Sequence, residues 1–265
     1  MTPGHWARFR TDDGRVGFGA LEDGRIAEHS GDLFGGSSPT GRILSAGEYR
    51  LLAPCAPTKI IALWNNFRAL ADKLQKQPPA HPLFLLKPAS SVAGPGDDIE
   101  RPAAYAGKIA YEGELGIVIG RRCRNVALGE APQFILGYTC VNDVTAAEVL
   151  NENPDFAQWT RSKGYDTFGC LGPAIATRFD WREAEVVTRV GGVERQRYPL
   201  ADMIFPPAEL VSRVSQDMTL LPGDIIACGT SLGVGSIRDG SVVEVSIDGI
   251  GTLRNTLAPQ AAPGP

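Results

Sequence analysis

Apolar and polar residues alternate at the two-residue spacing of strands through most of the chain, and only a few segments carry the wider spacing of helices. Residues 6–29 hold short alternating runs broken at Asp13-Gly14 and Asp23-Gly24, pairs that favour hairpin turns. Residues 31–41 are rich in Gly and Ser and read as a loop. Lys59-Ile-Ile-Ala-Leu-Trp64 reads as a buried strand; Phe67, Leu70 and Leu74 then recur at helical spacing within 66–76. Pro78, Pro79 and Pro82 break that helix. Leu83-Phe-Leu-Leu-Lys87, the run following Glu114 as far as Gly120, and Phe134–Val141 predict three more strands. Residues 145–151 predict a short helix capped by Thr145, and 205–216 another. Val242–Ile247 alternates as a strand before a turn at Asp248-Gly249. The pattern divides into a small N-terminal domain over 1–57, a larger β-rich domain over 58–257, and a tail over 258–265 expected to be disordered.

Composition narrows the class. An apolar fraction of 43% over 265 residues supports a sizeable core. A net charge of −4 argues against nucleic acid as a partner, because phosphate binding needs a basic field. No apolar run is long enough for a membrane helix, and the first residues lack the basic-then-apolar pattern of a signal peptide. Five scattered cysteines without C-x-x-C spacing read as reduced, buried thiols of a cytoplasmic protein, and not as a zinc site.

Glu112 and Glu114, in Tyr111-Glu-Gly-Glu-Leu-Gly-Ile-Val-Ile-Gly120, stand two residues apart, so on a strand both point to one face. Two adjacent carboxylates repel unless a positive charge lies between them, and a hard divalent cation with oxygen preference meets that need. Asp143, ending a second apolar run, is a candidate third ligand; the plainer reading of the pair is a wet strand face. Lys163, in Arg161-Ser-Lys-Gly-Tyr-Asp-Thr-Phe-Gly169, and Lys87 each read either as a buried lysine that stabilises an oxyanion or as a surface lysine. Gly229, Gly233 and Gly235 make a loop whose amides suit an anion, or a plain tight turn. His81 lies in a proline-stiffened loop, as a candidate base or an exposed side chain. No Gly-x-Ser-x-Gly elbow supports a serine hydrolase.

In this order, Leu83–Pro88, Tyr111–Gly120, Gly137–Ala146, Ser162–Pro173 and Leu221–Thr230 with Gly-Val-Gly235 resemble the fumarylacetoacetate hydrolase family over residues 59–257. The resemblance implies an α+β, β-rich roll with a small N-terminal domain, usually a homodimer. It implies that Mg²⁺ or Mn²⁺ is held by Glu112, Glu114 and Asp143, that Lys163 is catalytic, and that Gly229 and Thr230 contact substrate. Two departures stand out. Many members carry a His-Glu pair that activates water on the helix after Asn66, where this chain has Leu70 and Lys73. Ala147 stands where arginine is common. Arg68 stays protonated and is expected to bind a substrate carboxylate rather than act as a base.

The resulting expectation is a divalent-metal enzyme that cleaves or rearranges a small 2-oxo or β-dicarbonyl acid through a metal-bound enolate. It would be a C–C hydrolase or decarboxylase, with decarboxylation needing no water-activating pair. The alternatives are an isomerase, hydratase or cyclase using His81 or Lys163, and a non-catalytic binding module. Residues 64–82 are also expected to serve either as a lid or as an ordinary surface helix.

Overall fold

Along Gly113–Ile119 the side chains of Leu115, Ile117 and Ile119 enter one core while Val118 enters another. A strand buried on both faces belongs in the middle of a sheet. It lies between Ile135–Asp143 and Ile225–Ala227 in a twelve-stranded sheet. The structure, a computed structural model, describes residues 4–259. From one edge the sheet runs through Gly36–Leu44, Arg25–Asp32, Val16–Glu22, His5–Arg10 and Gly169–Ala176 to these central strands. It continues through Lys59–Trp64 to Leu83–Pro88. The N-terminal strands therefore extend the large sheet.

After Leu83–Pro88 a single 3₁₀ turn, Ala89–Ser91, leads to Val92–Ala93, which pairs back onto Gly169–Ala176. So short a link between one edge and the middle of the sheet requires the sheet to curl into a roll. Ile60, Ala62, Leu85, Val118, Val141 and Ile225 fill its inner face. The outer face, with Leu115, Ile117 and Cys140, packs on Val186, Val245 and Leu253. These last come from a five-stranded sheet ordered Val193–Pro199, Glu185–Val190, Val242–Ile247, Gly251–Leu257 and Asp98–Ile99. Ile109–Tyr111 joins Thr145–Ala146 and Gly235–Ile237 in a third, small sheet. The α-helices among the described residues are Arg68–Lys73, Trp159–Lys163 and Pro207–Asp217, and none is long and apolar enough to cross a membrane.

The turn at Asp23-Gly24 joins Glu22 to Arg25 with both turn residues at positive φ (47° and 72°), the hairpin geometry expected from the pair. Elsewhere tertiary contacts override local signals. The expected loop over 31–41 is mostly strand, because Ile26 and Leu44 are both buried and hold Arg25–Asp32 and Gly36–Leu44 in register. The helix expected over 66–76 shrinks to Arg68–Lys73. Asn66 is instead tied to Cys228 and Phe205, and the chain leaves the helix at Gln75, which has a φ of 53°. The later helix starts at Pro207, whose missing N–H costs nothing at a first turn. Thr145 caps no helix. It lies in a short strand, and the 3₁₀ turn Ala147–Asn151 after it has no side-chain cap. Of the tail expected to be disordered, residues 260–265 lie outside the described residues.

Candidate metal centre

Gly113 sets the spacing of the two glutamates. A Cβ there would lie 2.0 Å from the Thr188 hydroxyl, so only glycine lets the strand approach the second sheet this closely. Its N–H donates to Gln196 Oε1 (3.0 Å), and its carbonyl accepts from Thr230 Oγ1 (3.0 Å) and the Tyr198 hydroxyl. With that peptide anchored, Glu112 and Glu114 flank it. Asp143, the last residue of its strand, joins them through the bond from its N–H to the Glu112 carbonyl (2.9 Å). One carboxylate oxygen from each of Glu112, Glu114 and Asp143 lies within 4.8 Å of the others. Strand alternation turns Glu114 and Asp143 to the inner face of the roll, with Val118 and Val141.

Glu114 is fully buried. Its Oε2 accepts from the Gly229 N–H (2.8 Å), while Oε1 has no hydrogen-bond partner among the described residues. Burial, and then repulsion from Asp143 and Glu112, pushes its carboxyl well above the ordinary range, against the pull of Lys163. Lys163, at the end of Trp159–Lys163, donates to Asp143 Oδ2 (2.6 Å) and Glu112 Oε1 (2.7 Å). Burial works against its charge, but Asp143, Glu112 and Glu114 outweigh burial and raise its pKa, so it stays protonated. Lys87 donates to Asp143 Oδ1 and to the carbonyls of Val144 (3.2 Å) and Phe168 (2.9 Å). For Asp143 burial alone would raise the pKa; the two ammoniums, Lys163 and then Lys87, override it and hold the carboxyl low. Burial pulls the Lys87 pKa down even so.

The donor set suits a hard divalent cation. With Glu114 ionised, as a metal ligand must be, three carboxylates against two ammoniums leave one negative charge, and a buried oxygen without a partner is costly unless something coordinates it. The three oxygens all lie within 4.8 Å of one another, close enough to converge on one cation. Glu112, Glu114 and Asp143 would supply the protein ligands.

The other expected site residues sit around this centre in different ways. All three Lys87 donors are engaged by protein oxygens, so Lys87 supports Asp143 and has none left for a ligand. Gly229 faces Glu114, and Thr230 is held between Gly113 and Gln196. Arg68 is exposed and donates to the carbonyls of Asp202 and Met203. His81 is away from the acids, beside Arg213 and Glu209 in a surface cavity of about 430 Å³. Leu70 packs against the main core and Lys73 is exposed, so no water-activating pair stands on that helix. Sequence reasoning missed Thr145, whose hydroxyl donates to Glu112 Oε1 (2.6 Å), and Asn142, whose Oδ1 accepts from the Glu112 N–H (3.1 Å). Both flank Asp143 in Asn142-Asp-Val-Thr145, and that adjacency was the available signal. Gln196 and Tyr198 lie far off in the chain and left none.

The profile of the fumarylacetoacetate (FAA) hydrolase C-terminal family matches residues 59–258, and that of the Rv2993c-like N-terminal family matches residues 5–54. Protein Rv2993c of Mycobacterium tuberculosis is 40% identical over 96% of this chain and 95% of its own length. The crystal structure of 5-carboxymethyl-2-hydroxymuconate delta-isomerase from Mycobacterium smegmatis superposes with a TM-score of 0.88 at 40% identity, covering 96% of this chain and 99% of that one. Fumarylpyruvate hydrolase from Pseudomonas aeruginosa, solved in complex with Mn²⁺ and pyruvate, aligns with a TM-score of 0.71 at 27% identity, covering 80% and 93%. The chain thus belongs to the fumarylacetoacetate hydrolase family.

Proposed function

We propose that this protein is a Mg²⁺- or Mn²⁺-dependent enzyme that breaks a carbon–carbon bond of a small 2-oxo or β-dicarbonyl acid by way of an enolate, with decarboxylation as its reaction. The observation that carries this reading is the Lys163 ammonium, held against Asp143 and Glu112 beside the unpartnered Glu114 oxygen. A divalent cation at these carboxylates would supply the Lewis acidity that polarises the 2-oxo group. Lys163 adds a fixed positive charge where negative charge develops, and as a protonated group it can return a proton to the enolate carbon. Hydrolysis would need a base to activate water, and Leu70 and Lys73 provide none. Decarboxylation requires no such base. Gly229 and Thr230 orient the glutamates through Glu114 and Gly113.

A second reading, tautomerisation or isomerisation of an enolisable acid, is favoured by the structural likeness to a protein described as a delta-isomerase. Oxaloacetate separates the two. Release of CO₂ and pyruvate in the presence of Mn²⁺ is expected, falling at least about 100-fold in Glu114→Gln. Accelerated enol-to-keto conversion without CO₂ release would move the assignment to the second reading. Mn²⁺-independent turnover, or none of either reaction, would sink the proposal. We further propose a cytoplasmic homodimer. All five cysteines are buried and unpaired, as in a reducing compartment. Val193, Leu232 and Val234 are exposed apolar side chains, suited to a second copy. Light scattering reporting a monomer would refute the dimer.

A further inference from the structure

The strand Lys59–Trp64 ends in a large aromatic side chain, Trp64. On Lys59–Trp64, Ile60 and Ala62 point into the inner core while Ile61 and Leu63 point out, so Trp64 points in. Ala62 is paired with Ala227, and Ala227 with Gly116. Carrying both registers two residues onward sets Trp64, Gly229 and Glu114 in one row across three strands. Contacts from Gly229 N–H to Glu114, and from the Asn66 side chain to the Cys228 carbonyl (2.9 Å), keep the three segments together beyond the formal ladders. The strand stops at once after Trp64, because Asn65 turns the chain with a φ of 57°.

The middle member of the row is a glycine without a side chain. Gly229 is held at a φ of 86°, and a Cβ there would lie 3.1 Å from the Leu63 carbonyl oxygen. Trp64 and Glu114 thus stand on either side of a residue with no side chain, with about 10 Å between their Cα positions at ordinary strand spacing. Trp159 completes the aromatic side. It begins the helix that ends in Lys163, packs against the same inner core, and its ring centroid lies 5.6 Å from that of Trp64 at 51°. Lys76 Nζ lies 5.6 Å from the Trp64 ring centroid. Both tryptophans are half-buried. Two polarisable rings at the rim of a charged site suit a planar apolar group.

The geometry points to Trp64 as a specificity-determining residue whose indole, backed by Trp159, takes the carbon chain of the substrate on the side away from its chelating oxygens. The preferred substrate is accordingly a 2-oxo acid whose chain continues into a planar, apolar group such as an aryl or alkenyl unit. This rests on the metal-centre reading above.

The test is calorimetric binding of oxalate, pyruvate and phenylpyruvate to the Mn²⁺-loaded protein and to its Trp64→Ala and Trp64→Phe variants. Oxalate has no tail and reports the metal centre alone. The expected result is that all three proteins bind oxalate alike and that the parent prefers phenylpyruvate to pyruvate by about tenfold. The preference disappears in Trp64→Ala and survives in part in Trp64→Phe. Equal affinities of the parent for pyruvate and phenylpyruvate would overturn the inference while leaving the metal centre intact. So would an undiminished preference in Trp64→Ala, or loss of oxalate binding in that variant alone. Failure of the parent to bind oxalate with Mn²⁺ would remove the metal-centre reading and this inference with it.

Discussion

Lys87 crosses the inside of the roll to the carboxylate of Asp143, and both side chains are only 1% exposed. Removing one member of such a pair leaves an uncompensated buried charge, which costs about 3–5 kcal/mol. Lys87→Met is therefore expected to lower the melting temperature by roughly 6–20 °C. An unchanged melting curve would show that Lys163 alone satisfies Asp143.

Mn²⁺ should stabilise the folded protein by mass action. At about one hundred times its dissociation constant the gain is about 2.7 kcal/mol, or roughly 5–10 °C in melting temperature. Chelator should reverse the shift, and Asp143→Asn should abolish it. A shift of equal size in Asp143→Asn would place the ion elsewhere.

The buried Glu114 carboxyl gives the metal-free protein a specific pH dependence. Burial and its acidic neighbours raise its folded pKa above the unfolded value, so the folded state holds the proton more tightly. That contribution to stability is complete below the ordinary glutamate pKa of about 4.3 and is lost as pH rises through the folded value. Glu114→Gln mimics the protonated side chain and is free of this loss. In chelator, wild type and Glu114→Gln should melt close together near pH 4, with wild type falling progressively below the variant as pH rises. Parallel curves across the range would contradict the assignment.

Gly229→Ala should damage the centre without touching an acid. Its positive φ and the nearby Leu63 carbonyl disfavour any side chain, at a cost of about 1–3 kcal/mol. Displacing the amide that holds Glu114 Oε2 should weaken Mn²⁺ about tenfold. Mn²⁺ titration of the refolded variant reads this directly, and an unchanged affinity would mean that the amide does not orient Glu114.

Much of the centre was legible because it is local. Glu112 and Glu114 are separated by one glycine, and Asp143 ends a strand that pairs directly with theirs, so alternation and order along the chain suffice to bring the three acids together. Lys163 was visible through the motif around it. The roles of Lys87 and Arg68 were not, because the same lysine or arginine serves a ligand or a carbonyl according to what packs beside it. Thr145 shows the same limit: a threonine before a helical turn is a natural cap, yet Glu112 takes its hydroxyl.

By itself the sequence determined the strand-rich character, the hairpin at Asp23-Gly24, the family and the acidic trio, since each depends on spacing within a segment or between neighbouring strands. Tertiary structure alone decided that Gly36–Leu44 is a strand, that Lys87 is consumed by Asp143, and that Gln196 and Tyr198 anchor Gly113. The last two relations join residues 56 to 85 positions apart only after the sheet has curled and the second sheet has packed on it, and no local pattern carries the closure of a roll.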